Sequence, residues 1–185
     1  SFAAVSNTET KASKADDYFV SPAFELEAGV TYNLKTMTTS YWGMSAGNLT
    51  LKVGTSATDA STFADVQKLA PQGADENTFT TEEITYTPAA SGTYYFAFHS
   101  DMDKNGMGFI LGGFAIEGGE EGGSTEGPET PVVGSRVEYS VSFNGGAASD
   151  WTTIDANADG VTYTYDGTMG DAAMSINSAS SYNDY

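Results

Sequence analysis

Short runs of alternating apolar and polar residues, separated by glycine, proline, asparagine and aspartate, recur along the chain. Every second residue is apolar in Val30–Leu34, in Leu49–Val53 and in Ile84–Tyr86. This period of two places the apolar side chains on one face of a β-strand. Similar runs follow at 93–98, 108–116, 136–143 and 161–165. The pattern predicts an all-β fold, a jelly-roll-like antiparallel β-sandwich.

The composition agrees with strands and turns rather than helices. Glycine (21 residues), tyrosine (11) and phenylalanine (10) are abundant, and these residues favour turns or strands over helices. One run, "STFADVQKL" at Ser61–Leu69, fits a helical turn. It fits a loop followed by an edge strand equally well, and both readings stay open.

The charge balance excludes several kinds of partner. Acidic residues outnumber basic ones 25 to 7, which gives a net charge of −18. Proteins that bind nucleic acid need a basic face, and anionic membranes repel such a chain. We therefore expect no nucleic-acid partner and no direct membrane insertion. There is no cysteine, which excludes disulfides, thiolate metal sites and cysteine nucleophiles.

Residues 118–134 differ from the rest of the chain. The stretch "GGEEGGSTEGPETP" that begins there has no aliphatic or aromatic residue. Its glycine, glutamate and proline content predicts a flexible linker that repels itself. The linker divides the chain into residues 1–117 and residues 135–185.

The two segments share short phrases that suggest a tandem repeat. "AAVSN" at 3–7 is similar to "AAMSIN" at 172–177, and "DDY" at 16–18 is similar to "NDY" at 183–185. We interpret 1–117 as the rear part of one repeat and 135–185 as the front part of the next. A front part of this size buries too little surface to fold alone. We expect it to fold back on 1–117 as a circularly permuted sandwich, because tethering raises its effective concentration; insertion into a neighbouring chain is the alternative.

Three phrases resemble the cleaved-adhesin, or choice-of-anchor J, domain of bacterial surface proteins, including haemagglutinin regions of the gingipain proteases. They are "DDYFVSPAFELEAGVTYNL" at 16–34, "AASGTYYFAFHS" at 89–100 and "DWTTIDANADG" at 150–160. The resemblance implies a jelly-roll sandwich, commonly with bound calcium, that acts in adhesion or assists a surface enzyme. Two positions depart from the family, since Leu111-Gly112-Gly113 and Phe143-Asn144 lack carboxylates that members often carry.

The last of these phrases contains a candidate calcium loop. Asp155, Asn157 and Asp159, followed by Gly160, have the D-x-N-x-D-G spacing in which alternate side chains turn their oxygens inward. Asp166 stands where an EF-hand has its glutamate, and the flanks are strand-like, so we expect a calcium loop of another kind. The alternative is a turn whose aspartates and asparagine cap their own backbone.

A second phrase, "DMDKNG", has similar spacing. Asp101, Asp103 and Asn105 would be its metal ligands. Lys104 lies within the loop, and a hairpin needs a turn at this position in any case, so a simple turn is again the alternative.

Aromatic residues supply the remaining candidates. Tyr41 and Trp42 lie in a glycine- and serine-rich loop, where they would stack on sugar rings or anchor a protein partner; Trp42 would otherwise cover the core. Trp151 is expected in the core. His99, the single histidine, is expected to be a packed or hydrogen-bonded residue at a strand end rather than a catalytic one.

No catalytic motif of the G-x-S-x-G, H-E-x-x-H or P-loop kind occurs in the sequence. We therefore expect a non-catalytic adhesin or ligand-binding repeat on a bacterial cell surface, outside the cell, with calcium as its cofactor. Its partner would be a host or bacterial surface protein or a glycan. The alternatives are a structural repeat of a stalk or polymer that self-associates by repeat exchange, and a carbohydrate-binding module of a surface hydrolase.

Overall fold

The chain folds into two antiparallel β-sheets that pack face to face, as a computed structural model shows. The predicted all-β sandwich is confirmed. The structure describes residues 15–40, 47–72, 78–102, 108–119, 136–143, 149–158, 163–166 and 173–176, with the backbone alone at 164–166 and 173–176.

Twelve strands build the described part of the two sheets. They are β1 (Ala15–Val20), β2 (Phe24–Leu26), β3 (Tyr32–Ser40), β4 (Gly47–Gly54), β5 (Ala64–Leu69), β6 (Thr80–Tyr86), β7 (Gly92–Met102), β8 (Phe109–Gly118), β9 (Val137–Ser142), β10 (Thr152–Asp155), β11 (Thr164–Asp166) and β12 (Ala173–Ile176). The first sheet has the order β10-β1-β7-β4-β5, and β2 also pairs with β7. The second sheet has the order β11-β12-β8-β3-β6, and β9 also pairs with β8. The chain crosses between sheets at β2–β3, β3–β4, β5–β6, β6–β7, β7–β8, β9–β10 and β10–β11. Repeated crossings of this kind are typical of jelly rolls.

The run at Ser61–Leu69 is a short turn followed by an edge strand. A 3₁₀ helix occupies only Ala60–Thr62, and β5 follows it at the edge of the first sheet. Asp59 caps the turn, because its Oδ1 accepts hydrogen bonds from the Ser61 backbone N–H at 2.9 Å and from the Ser61 hydroxyl at 2.6 Å. Of the two readings of this run, the edge strand is therefore confirmed.

The Val-Ser-Pro phrase bends the chain between β1 and β2. Ser21 exchanges hydrogen bonds with Phe96 in β7: its N–H donates to the Phe96 carbonyl at 2.8 Å, and its hydroxyl accepts from the Phe96 N–H at 2.9 Å. Pro22 has no N–H to continue the ladder. On either side of this bend, β1 and β2 both pair with β7. Phe19 of β1 and Phe24 of β2 are buried on the inner face.

Strands from residues 135–185 pair with strands from residues 1–117 of the same chain. β10 pairs with β1, while β9 and β12 both pair with β8. β8 continues to Gly118, one residue into the predicted linker, and residues 120–134 of that linker lie outside the described residues. The repeat interpretation and its three segment boundaries stay a prediction.

An aromatic cluster between the sheets joins the two segments. Trp151 is 6% exposed, and its ring stacks on Phe19 with the centroids 4.8 Å apart and on Phe98 at 6.0 Å. It also forms edge-to-face pairs with Phe114 and Phe143, in which the ring centroids are 5.5 Å and 5.1 Å apart. The Trp151 Nε1–H donates to the Tyr139 hydroxyl at 2.9 Å, so its polar atom is also satisfied. The prediction that Trp151 lies in the core is confirmed.

Replacing Trp151 tests how much this cluster stabilises the fold. Trp151→Ala removes a large buried ring that the surrounding aromatics cannot fill, and we expect a loss of about 3–5 kcal/mol in the free energy of unfolding. Urea titration, with unfolding monitored by circular dichroism, measures this free energy of unfolding. Thr152→Ala, at the exposed neighbouring position, is the control and should change the free energy by less than about 0.5 kcal/mol. Equal midpoints for the two variants would contradict the prediction.

Candidate functional site

Several segments singled out in the sequence meet at one end of the sandwich. β10 ends at Asp155, and Asp101 is the last residue but one of β7. β1 runs between these strands and places Asp17 opposite Asp155 and Asp16 opposite Asp101. We call these four carboxylates, Asp16, Asp17, Asp101 and Asp155, the acidic corner.

The flanks of the predicted aromatic loop lie at the same end. β3 ends at Ser40, opposite Phe109 of β8, and β4 begins at Gly47, opposite Met102 of β7. Tyr41 and Trp42 themselves lie outside the described residues. The topology nevertheless brings both ends of their loop to the end of the sandwich that carries the acidic corner.

The acidic corner is divided between two faces of the first sheet. Residues opposite each other in an antiparallel pair share a face, and neighbours along a strand point to opposite faces. Asp17 therefore lies on the inner face with Asp155, whereas Asp16 lies on the outer face with Asp101. The exposures agree, because Asp17 is 0% exposed and the Asp16 side chain is 42% exposed. The two loops that look alike in sequence thus begin on different faces.

On the inner face, Asp17 has two buried hydroxyl groups as neighbours. Ser100 is directly opposite it on β7 and is 0% exposed, and Tyr163 is 3% exposed. Burial raises the pKa of the Tyr163 phenol well above its ordinary value, the Asp17 carboxylate raises it further, and Ser100 acts in the opposite direction. Within the described residues, however, neither hydroxyl completes a hydrogen bond of good geometry. We call Asp17, Ser100 and Tyr163 the inner oxygen cluster.

Sequence reasoning missed this cluster, although part of its signal was present. Ala15, Asp17 and Phe19 alternate along β1, and both apolar members lie in the core between the sheets. The alternation therefore places Asp17 on the buried face. The positions of Ser100 and Tyr163 depend on pairings distant in sequence, which no local pattern reveals.

On the outer face, His99 is packed and hydrogen-bonded as expected, but it lies within β7, three residues before the strand ends, and not at a strand end. Its Nε2 lies 2.7 Å from Asp16 Oδ1, and its ring stacks on Tyr18 with the centroids 4.2 Å apart. Burial lowers the pKa of the His99 imidazole below its ordinary value, even though the hydrogen bond to Asp16 acts in the opposite direction. The ring is therefore neutral at pH 7.

The predicted calcium ligands are only partly described. Asp155 and Asp101 are half-buried, and Asn157 is exposed. Ala158 has a φ of 54°, so the chain turns sharply directly after Asn157. Asp159, Asp103 and Asn105 lie outside the described residues. Among the residues that are described, no three histidine, aspartate or glutamate side chains are arranged to hold a metal, and calcium binding stays a prediction.

A polar groove of about 540 Å³ crosses the outer face of the second sheet. Lys35 and Glu83 form an ion pair in it, with Nζ and Oε1 3.2 Å apart. Tyr139 also lines the groove, but its ring packs inward against Phe24, with the centroids 5.3 Å apart. None of the outward-facing residues described along it is aromatic, so the groove offers a sugar hydrogen bonds but no ring to stack on. The outward-facing lining residues are Asn33, Lys35, Glu83, Thr85, Ala115, Glu117, Glu138 and Ser140.

No protein-family model matches this chain, and no curated protein matches it either. The resemblance to cleaved adhesins therefore rests on the three phrases quoted above. In the described part of the chain, no helix has the length and apolar character needed to cross a membrane.

The lowered pKa of His99 predicts a pH dependence of stability. The unfolded chain takes up a proton near the ordinary histidine pKa of about 6.5, whereas the folded chain does so only at lower pH. Between these two pKa values the unfolded state binds more protons, so stability falls as the pH is lowered through 6.5. Urea midpoints at pH 7.5 and 5.5 should differ more for the native chain than for His99→Gln. If the urea midpoint changes equally with pH in the native chain and in His99→Gln, His99 has the same pKa in the folded and the unfolded chain.

Proposed function

We propose that this chain is a non-catalytic, calcium-stiffened ligand-binding repeat of a bacterial cell-surface protein, of the cleaved-adhesin type. One observation carries the proposal. The start of the "DANADG" phrase, the start of the "DMDKNG" phrase and both flanks of the Tyr41–Trp42 loop lie at the same end of the sandwich. Loops gathered on a rigid sheet scaffold are where β-sandwich proteins bind their ligands.

Calcium has a physical role at this end. Asp17 and Asp155 are directly opposite on the same face, and like charges in that arrangement repel. A bound cation converts this repulsion into attraction and fixes the loop that begins at Asp155. Extracellular modules bind calcium with dissociation constants of about 10⁻⁴–10⁻³ M, so a surface protein would hold the ion in its normal medium.

The ligand we propose is a surface protein or glycan of a host or of another bacterium, held by the loops at this end. Tyr41 and Trp42 are the residues we assign to that contact. The net charge of −18 disfavours acidic partners, so a neutral glycan or a protein surface without excess negative charge fits best.

Thermal melting tests the calcium part of the proposal. Calcium at a hundredfold excess over its dissociation constant should raise the melting temperature by about 5–10 °C relative to EGTA, because binding to the folded state alone stabilises it. Asp155→Asn should remove this gain. Glu138→Gln, which removes the same charge from an exposed position on the second sheet, should keep it.

Two results would overturn the calcium proposal. One is a native chain whose melting temperature is the same in calcium and in EGTA. The other is an equal gain in Asp155→Asn, which would move the ion to another part of the chain.

A second candidate function is a structural repeat whose front part completes a neighbouring chain. The observation in its favour is the dependence of the two segments on each other: β9, β10 and β12 extend sheets built from residues 1–117, and Trp151 fills their common core. The same surfaces would match between two copies of the chain.

Light scattering separates the two candidates. A chain whose front part folds back on its own rear part stays at 19.4 kDa over a hundredfold range of concentration. Exchange between chains gives dimers or longer oligomers whose fraction grows with concentration. A constant mass of 19.4 kDa would remove the structural-repeat candidate for this chain in isolation.

A further inference from the structure

The polar groove on the outer face of the second sheet crosses four neighbouring strands, in the order β9, β8, β3 and β6. Strand pairing arranges its outward-facing side chains in two rows. The first row is Glu138, Glu117, Asn33 and Thr85, and the second is Ser140, Ala115, Lys35 and Glu83. Four strands span about 14 Å at their usual spacing. About four residues of an extended chain cover that length.

Negative charge is concentrated in the half of the groove that β9 and β8 form. Glu138 and Glu117 are exposed and directly opposite each other, and like charges in this arrangement repel. Arg136 Nη2 lies 3.5 Å from Glu138 Oε2, but Arg136 does not line the groove. Within the described residues, Glu117 forms no ion pair. Ala115 lies in the neighbouring row with only a methyl group, so it leaves room beside the two carboxylates.

The half of the groove that β3 and β6 form is closer to neutral. Lys35 Nζ lies 3.2 Å from Glu83 Oε1, so the charges of this pair largely cancel. Asn33 and Thr85 are opposite each other in the other row. Amide and hydroxyl groups both donate and accept hydrogen bonds, as the backbone of a bound peptide requires. The groove therefore has a charged half and a hydrogen-bonding half.

We propose that this groove is a second interaction surface, which binds an extended, arginine-bearing segment of a partner protein. The guanidinium lies over Ala115 and contacts Glu117 and Glu138, because its planar set of donors matches carboxylate oxygens. The peptide backbone continues across Asn33 and Thr85. The net charge of −18 attracts basic partners from a distance. A neutral glycan fits less well, since the described outward-facing residues offer it no ring to stack on.

This surface is separate from the ligand-binding end proposed above. Asn33 lies near the start of β3, whereas the Tyr41–Trp42 loop follows the end of that strand. The carboxylates of the groove belong to the second sheet, and those of the acidic corner belong to the first. The inference therefore does not depend on the proposed calcium binding.

Amide chemical shifts of the ¹⁵N-labelled full chain test this assignment. The probe is the acetylated and amidated peptide Gly-Gly-Arg-Gly-Gly, titrated in EGTA so that calcium has no part in the result. We expect shifts confined to the groove, at Asn33–Lys35, Ala115–Glu117 and Glu138–Ser140. The same peptide with citrulline in place of arginine has nearly the same shape without the charge. It should bind about tenfold more weakly, because it loses the charge-assisted hydrogen bonds.

Three variants locate the contact within the groove. Glu117→Gln should weaken binding of the arginine peptide by about three- to tenfold. Ala115→Gln fills the space beside the carboxylates without changing the net charge, and it should weaken binding by about tenfold or more. Glu25→Gln removes one charge from an exposed position on β2 of the first sheet. It is the matched control and should change the affinity by less than about twofold.

Several results would overturn the inference. They are an absence of shifts, equal binding of the arginine and citrulline peptides, unchanged affinity in Ala115→Gln, and shifts at Asp16 and Asp101 instead of in the groove. Maltotriose is titrated in parallel, and tighter binding of this sugar in the groove would make it a glycan site instead. Thermal melting checks that each variant folds; if Ala115→Gln does not fold, Glu117→Gln decides. These results leave the calcium melting experiment untouched, so the two proposals can fail separately.

Discussion

The packing of Trp151 against Phe19 and Phe98 is the interaction on which the rest of the structure depends. It buries the front of the C-terminal segment in a core whose other walls come from the N-terminal segment. β10 has only four residues, and among the described strands it pairs with β1 alone. A strand that short contributes little stability by its ladder. Burial of the large aromatic ring next to it is what makes the closure of the sandwich favourable.

This packing also determines which carboxylates meet. Because Trp151 is anchored on the inner face, β10 enters the sheet in one register, and that register places Asp155 opposite Asp17. A slip of one residue would turn every side chain of β10 to the other face, and Asp155 would then point to the outer face, away from Asp17. The hydrophobic core and the acidic corner are therefore parts of one arrangement, since a change that loosens the aromatic cluster also separates the two inner carboxylates.

Much of the fold could be predicted from the sequence, because a period of two is a local property that each strand carries by itself. The burial of Trp151 was expected from the family-like phrase that contains it. The edge strand at 64–69 was one of two readings of its run. The division of the acidic corner between the two faces of the first sheet could not be predicted. Asp16 and Asp17 are adjacent and chemically identical in sequence, and the pairing of β1 with both β10 and β7 is what gives them different surroundings. Tyr163 joins Asp17 from 146 positions along the chain, and no spacing rule connects residues so far apart.

The effect of the large net negative charge differs between exposed and buried positions. Most acidic side chains face water, where solvent and salt screen them and their mutual repulsion is weak. Asp17 lies out of contact with solvent, because the sheets close over it. A carboxylate enclosed with hydroxyl groups in an apolar core is stable only when hydrogen bonds or a cation compensate for its lost hydration. In a chain with 25 acidic and 7 basic residues, few side chains can supply positive charge, and the calcium binding proposed above would add to that supply. The same closure that secures the core thus places Asp17 where its surroundings matter most for stability.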